Sequence, residues 1–286
     1  MRRREFIGAA ALLPLAAVRQ ASAQERPRVI NTISYNVLGC RGYPETPQNR
    51  ERLLADRGQL SERTAKALKE FAPDWVTFQE GPQVDKIRRI ADAMEMRFAF
   101  FPGGWEGDDE YPGGFPGAVV SCWPIVESES RPSATGPHDV ELFTRHLGRA
   151  KLDTPIGTLH VVSAHLHPSD LAVRAAEVTA VIALVRALNS DAEVVLQGDF
   201  NHMPDGPEYP RWKEAGLVDV LAKLGSDGAT FPSTGPKRRI DYIWATPKLA
   251  EAARIGRVLS DPPFAPADEA SYGLSDHVPV FASFAV

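Results

Sequence analysis

Cysteine is nearly missing from this chain. Cys40 and Cys122 are the only two among 286 residues, too few for a disulfide-built scaffold or a four-thiolate zinc site. An oxidising compartment permits one bond between them; the sequence leaves open whether they meet or stand as two buried thiols. A membrane-spanning run is missing too. The one conspicuous apolar stretch, after Phe6, is interrupted by Pro14 and is too short to cross a bilayer as a helix. Positive charge is in deficit, with 32 Lys and Arg against 37 Asp and Glu and a net charge of −5. A basic footprint marks a tight nucleic-acid binder, and beyond the amino-terminal arginines Lys237-Arg238-Arg239 is the only obvious basic cluster. No repeat or low-complexity tract is present. At 43% hydrophobic and 24% charged, the composition is that of an ordinary globular protein.

What is present begins with an address. Arg3-Arg4-Glu5-Phe6-Ile7 is similar to a twin-arginine export signal. Ala21-Ser22-Ala23 supplies the small-x-small pattern of a cleavage site. Residues 1–23 are therefore expected to be a signal peptide and residues 24–286 one domain of a periplasmic or secreted bacterial protein. The signal holds four arginines and one glutamate, so the chain from Gln24 onward carries −8. Such a charge repels polyanions over long range.

Strands are predicted over 28–39, 75–80, 97–102, 118–123, 146–153, 158–167, 192–199, 238–245 and 277–286, from alternation and β-branched content. Leu60, Thr64, Leu68 and Phe71 fall at helical spacing before Pro73, and 84–94 is a second helix. A third carries Leu171, Ala175, Val178, Ile182 and Val185, with Ser169 as the expected N-cap. Residues 102–117, with Trp105, Tyr111 and Phe115, form a long Gly/Pro-rich loop, either functional or packed on the domain. Strands in succession and strands alternating with helices together predict mixed sheets layered with helices.

Several apolar runs end on a polar side chain. Asn36, Glu80, His165 and Asp199 close four of them, and Asn201 and His202 follow Asp199. Asp241 lies inside 238–245, and Asp276-His277 precedes the last run. One such residue is an ordinary turn former. Several together suit a ligand site, because ligands in α/β sheets gather at the carboxyl ends of strands. Carboxylates with an amide oxygen suit a hard cation such as Mg²⁺, and no closed thiolate or three-histidine zinc set accompanies them. An acid to activate water, a cation, and donors around an oxyanion are the parts for phosphoester hydrolysis.

In this order, "SYNVLG", "WVTFQE", "VVSAHL", "GDFNHMP", "RRIDYIWA" and "LSDHVPV" resemble the signature segments of the endonuclease/exonuclease/phosphatase superfamily, whose fold is that of deoxyribonuclease I. The resemblance runs from about residue 30 to 286. It implies a four-layer α/β sandwich, two mixed β-sheets packed face to face with helices outside, and a metal-dependent phosphodiesterase or phosphatase. It gives Glu80, Asn36 and Asp276 to the metal, which it implies to be Mg²⁺, with Mn²⁺ or Ca²⁺ as alternatives. Asp199 would activate water and Asn201 hold a phosphate oxygen. His165 and His277 would stabilise the developing charge, and Asp241 would complete the metal site or orient a histidine; Asp276 is expected to hold His277 or touch the metal. Asp199 and Asn201, two apart in an extended segment, would point the same way.

Arg41 and His202 are candidate substrate contacts, His202 without a family counterpart. Arg149, Lys151, Lys237 and Arg238 are further basic candidates. The substrate would be a small phosphoester, a lipid headgroup or nucleic acid, and the protein a monomer. Cys122-Trp123 stand where the family often has an arginine. Two other readings compete. "HLHPSD" is similar to dinuclear zinc hydrolases, but Leu171 stands where they need a histidine. The fold can also persist as a binding protein with a dead site, although no residue of the pattern is missing here.

Overall fold

The structure is a computed structural model that describes residues 28–104, 114–133, 142–190 and 192–286. Residues 1–23, where a signal peptide is expected, and Trp105 and Tyr111 lie outside these residues. Two mixed six-stranded sheets form the body. The first orders β11 (Ala253–Val258), β12 (Val280–Ala285), β1 (Val29–Asn36), β2 (Trp75–Gln79), β4 (Gly117–Ser121) and β3 (Arg97–Phe101). The second orders β5 (Ile125–Ser130), β6 (His146–Thr154), β7 (Gly157–His165), β8 (Glu193–Asp199), β10 (Asp241–Ala245) and β9 (Val218–Asp219). Each sheet contains one parallel pair, β1 with β2 and β7 with β8; the other pairings are antiparallel.

The alternation of side chains builds the layers. Ile33, Tyr35, Val76 and Phe78 face one way and pack on α1 (Arg50–Asp56), α2 (Leu60–Lys69) and α3 (Val84–Met94). Val162, Ala164 and Leu196 face the other way and pack on α4 (Leu171–Leu188). Between the sheets lie Trp75, Phe101, Val119, Val161, Val195 and Phe284. Helices therefore cover both outer faces of a sheet pair, the expected α/β sandwich.

The inter-sheet layer is apolar only in part. Gln197 Oε1 accepts from Trp75 Nε1 at 2.7 Å, and Gln197 Nε2 donates to Thr32 Oγ1 at 2.9 Å. Ser34 Oγ donates to Gln79 Oε1 at 3.3 Å, and His146 Nε2 lies 3.0 Å from Ser163 Oγ. These rows follow the two-residue period of a strand. Thr32, Ser34 and Asn36 are one row; Ser163 and His165 are another; Gln197 and Asp199 are a third. Each runs from the buried layer to a carboxyl end.

Some local expectations are corrected. The cap of α4 is Asp170, not Ser169: its Oδ1 accepts from Ala172 N and Val173 N at 2.9 and 3.0 Å. The Ser169 N–H instead donates to His167 Nδ1 at 3.3 Å. The strand expected over 238–245 begins only at Asp241, because Arg238 is bridged to Phe231 in a separate hairpin. Strands β5 and β11 are edge strands with mostly exposed or half-exposed side chains, so they lack the apolar alternation by which a strand is read. Cys40 is buried, Cys122 is exposed, and both are free thiols.

Gly198, beside Asp199, is fixed by close approach. A Cβ there would sit 1.8 Å from the Ala164 carbonyl oxygen, and its φ is +155°. Gly198→Ala must push β7 and β8 apart where His165 and Asp199 are held. We expect it to cost about 3 kcal/mol, as overpacking does. Urea unfolding checks this, and a loss below about 0.5 kcal/mol, the level of an ordinary surface change, would contradict it.

Candidate active site

The two parallel pairs bring their carboxyl ends to one edge of the sandwich. Asn36 ends β1 and Glu80 follows β2; His165 and Asp199 end β7 and β8 in register with each other. Asp241, first residue of β10, stands opposite Asp199 on its other side. Asn36 links the sheets, its Nδ2 donating to Glu80 Oε1 at 3.3 Å and to Asp199 Oδ2 at 3.2 Å. His165 Nε2 lies 3.4 Å from Asp199 Oδ2 and 4.0 Å from Glu80 Oε1. His277 Nε2 lies 3.7 Å from the same Asp199 oxygen, while its Nδ1 is 2.9 Å from Asp241 Oδ2.

Two expectations about neighbours in sequence change here. Asp241, and not Asp276, holds His277. The Asp276 carboxylate accepts from Ser275 Oγ at 3.2 Å, and its charge acts on Glu80 and His277. Asn201 does not project alongside Asp199 from an extended segment. The strand stops at Asp199, and Asn201 takes a left-handed φ of +53°. Its backbone N–H donates to Asp199 Oδ1 at 3.0 Å and its Nδ2 to Leu166 O at 2.9 Å. Glu80 is also left-handed, at φ +45°. Two such non-glycine residues at one site mark backbone held against its preference.

Charge is unevenly settled across this cluster. Burial raises the Asp199 carboxyl, and the Asp241 and Glu80 charges raise it further against the pull of His277. Burial, then Asp276, raises Glu80. Burial alone would lower His277, but the Asp241 and Asp199 carboxylates outweigh it and lift the imidazole to about 10. Burial and the nearby Arg145 charge hold His165 well below the usual range. The site thus pairs a cationic His277 with a neutral His165 around one carboxylate.

The donor set fits a metal ion. Asp199, Asp241 and His277 are buried and offer ligand atoms within 4.8 Å of one another. Asp241 Oδ1 is buried and bonded to nothing in the protein. Burial, with neighbouring carboxylates, disfavours the charged forms of Asp199 and Glu80, and a hard divalent cation would favour them.

Among the basic candidates, Arg149 and Lys151 lie on β6 and pair with Glu127 and Glu129 at 3.2–3.3 Å. Arg41 is half-buried in the turn after β1, whose Gly39 N–H donates to Glu80 O at 2.7 Å. Arg145 was not among the candidates. Its guanidinium lies 4.6 Å from the centroid of Phe115, whose ring meets His165 edge-on at 6.0 Å. Burial works against its charge, and Glu80, Asp199 and Glu177 work for it. The signal that would find it is the β6–β7 hairpin, which sets His146 opposite His165 and so brings Arg145 to the site.

His202 is not a substrate contact. It is buried, its Nε2 accepts from Trp212 Nε1 at 3.0 Å, and its Nδ1 lies 3.1 Å from Met203 O. Both ring nitrogens serve the fold, and burial pulls the imidazole down to about 4. Below the unfolded value of 6.5, unfolded His202 takes up a proton that the folded ring refuses, so stability falls with falling pH. The expected slope from this residue is about 1.4 kcal/mol per pH unit between roughly 6.5 and 4. Urea midpoints from pH 7 to 5 for the parent and His202→Gln test this; parallel curves would contradict it.

Comparison with known proteins points the same way. A YbhP protein of Escherichia coli strain K12, itself uncharacterized, is 28% identical over 189 residues, 63% of this chain and 71% of that protein. A mannosyl-6-phosphatase of Bacteroides thetaiotaomicron superposes with a TM-score of 0.67 at 19% identity, over 88% of this chain and 98% of that one. An AP endonuclease of Archaeoglobus fulgidus gives 0.60 at 22% identity, over 90% of this chain and 100% of that one. The two structures share the fold. The profile of the endonuclease/exonuclease/phosphatase family matches residues 33–277, a span that takes in every site residue from Asn36 to His277, and this chain belongs to that family.

Proposed function

We propose that this protein hydrolyses phosphoester bonds with a divalent metal ion, by attack of water at phosphorus. The observation that carries the reading is the environment of Asp199: one buried carboxylate touched by Asn36, His165 and an Asp241-held His277. Asp199 accepts the proton of the attacking water; a carboxyl raised toward neutrality suits a general base. The water oxygen bonds to phosphorus and the ester P–O bond breaks. Cationic His277 offers its Nε2 proton to the developing negative charge, and Asp241 keeps the ring turned toward it. Neutral His165 and Asn36 Nδ2 are further donors in a site whose low dielectric strengthens each of them. Glu80, Asn36 and the Asp241 carboxylate, whose Oδ1 is bonded to nothing in the protein, are the residues that would hold Mg²⁺, which when bound would polarise a phosphoryl oxygen.

Arg145 is the cation best placed for a substrate oxygen. The −8 charge of the chain from Gln24 weighs against a long polyanion as substrate. The amino-terminal sequence supports a periplasmic or secreted location. Release of nitrophenol from a chromogenic phosphomonoester and a chromogenic phosphodiester, with Mg²⁺ and with chelator, tests the reading. Metal-dependent turnover of either upholds it and names the ester class; turnover of neither favours a binding protein on the same fold.

A further inference from the structure

Each site histidine is backed by a phenylalanine, and each phenylalanine carries an arginine. Phe115 with Arg145 stands against His165. On the other side, the Phe231 ring centroid is 4.9 Å from that of His277, and the Arg238 guanidinium carbon is 4.5 Å from the Phe231 centroid. The two cations differ. Arg145 is partly buried and answered by Glu80, Asp199 and Glu177. Arg238 is exposed, sits beside exposed Lys237, and pairs with no acid among the described residues.

Its backbone is fixed. Phe231 and Arg238 exchange N–H···O bonds at 3.0 and 2.9 Å, and the Ser233 N–H of the same hairpin donates to Asp276 O at 2.7 Å. The hairpin is thus pinned both to itself and to the segment that carries His277. An unpaired cation on a rigid hairpin, one phenyl ring from a site histidine, has a defined reach. The guanidinium is a fork suited to phosphate or carboxylate oxygens, and stacking on Phe231 limits the freedom it would lose on binding.

We propose that Arg238, held by Phe231 and assisted by Lys237, is a specificity subsite for a second phosphate on a small organic phosphate whose first phosphate lies between His165 and His277. The inference rests on the hydrolase reading, but its test does not need turnover. Binding of propylphosphonate and of propane-1,3-bisphosphonate is measured by calorimetry in excess Mg²⁺, for the parent protein, Arg238→Gln and Arg149→Gln. The parent is expected to bind the bisphosphonate about tenfold more tightly, the scale of one charge-assisted contact. Arg238→Gln brings the ratio close to one; Arg149→Gln, whose cation is already paired on β6, keeps it. Equal binding of both ligands by the parent, or a preference that survives Arg238→Gln, overturns the subsite. Hydrolysis of propyl phosphate by the parent is followed in parallel. Turnover without a bisphosphonate preference would sink the subsite alone, and a preference without turnover would sink the hydrolase reading alone.

Discussion

Asp199→Ala is expected to abolish the proposed phosphoester hydrolysis and to leave the protein folded. The expected fall in kcat is at least about 10⁴-fold, because the proposed base is also the point on which three other side chains converge. Its carboxyl is buried and raised, so folding already works against its charge. Removing it relieves the crowding of Asp199 by Glu80 and Asp241, and the melting temperature should hold or rise. Retention of more than about a tenth of the parent rate would remove Asp199 from the water-activating role. A collapse of the melting temperature would show that the carboxylate is there to hold the sheets together.

His277→Ala should reduce kcat by about 10³-fold, the scale of losing one preorganised donor to a developing oxyanion. Its partner makes the test sharper. Asp241 raises His277 more than Asp199 does, the imidazole standing at about 10, and it fixes the ring, so Asp241→Asn should lower the imidazole pKa and slow turnover even with His277 present. Titration of the ring by NMR, set beside kcat for both variants, checks the coupling. Mg²⁺ affinity is expected to change little in His277→Ala. If it collapsed instead, the Asp199–Asp241–His277 group would be the metal site itself, and the imidazole a ligand instead of a donor.

Much of this site is legible in the sequence because strand ends are local. Asn36, Glu80, His165 and Asp199 each close an apolar run, and two parallel pairs then carry them to one edge. What pairs with what is less legible. Asp276 adjoins His277 in the chain, yet the carboxylate that reaches its ring is Asp241, 36 residues away. Both residues lie in a bend ahead of β12, where adjacency in the chain does not decide which carboxylate the ring meets. His202 is next to Asn201 in sequence but is bonded to Trp212 inside the fold. Arg145 and Phe231 carry no motif at all. They reach the histidines only through hairpin geometry, which is set by pairing across the sheet. The departure at Cys122-Trp123 proves remote from the chemistry: Trp123 packs on Trp75, at the amino end of β2, opposite the end that Glu80 follows.

The central claim is that water attacks phosphorus at this site. Hydrolysis in ¹⁸O-enriched water, with Mg²⁺ and the ester class that turns over, tests it most directly. The account predicts one ¹⁸O per turnover in the phosphate product, none in the alcohol, and no reaction in Asp199→Ala or with chelator. Label in the alcohol would mean that carbon–oxygen cleavage, not attack at phosphorus, breaks the ester, and equal rates in the parent and in Asp199→Ala would place the chemistry elsewhere.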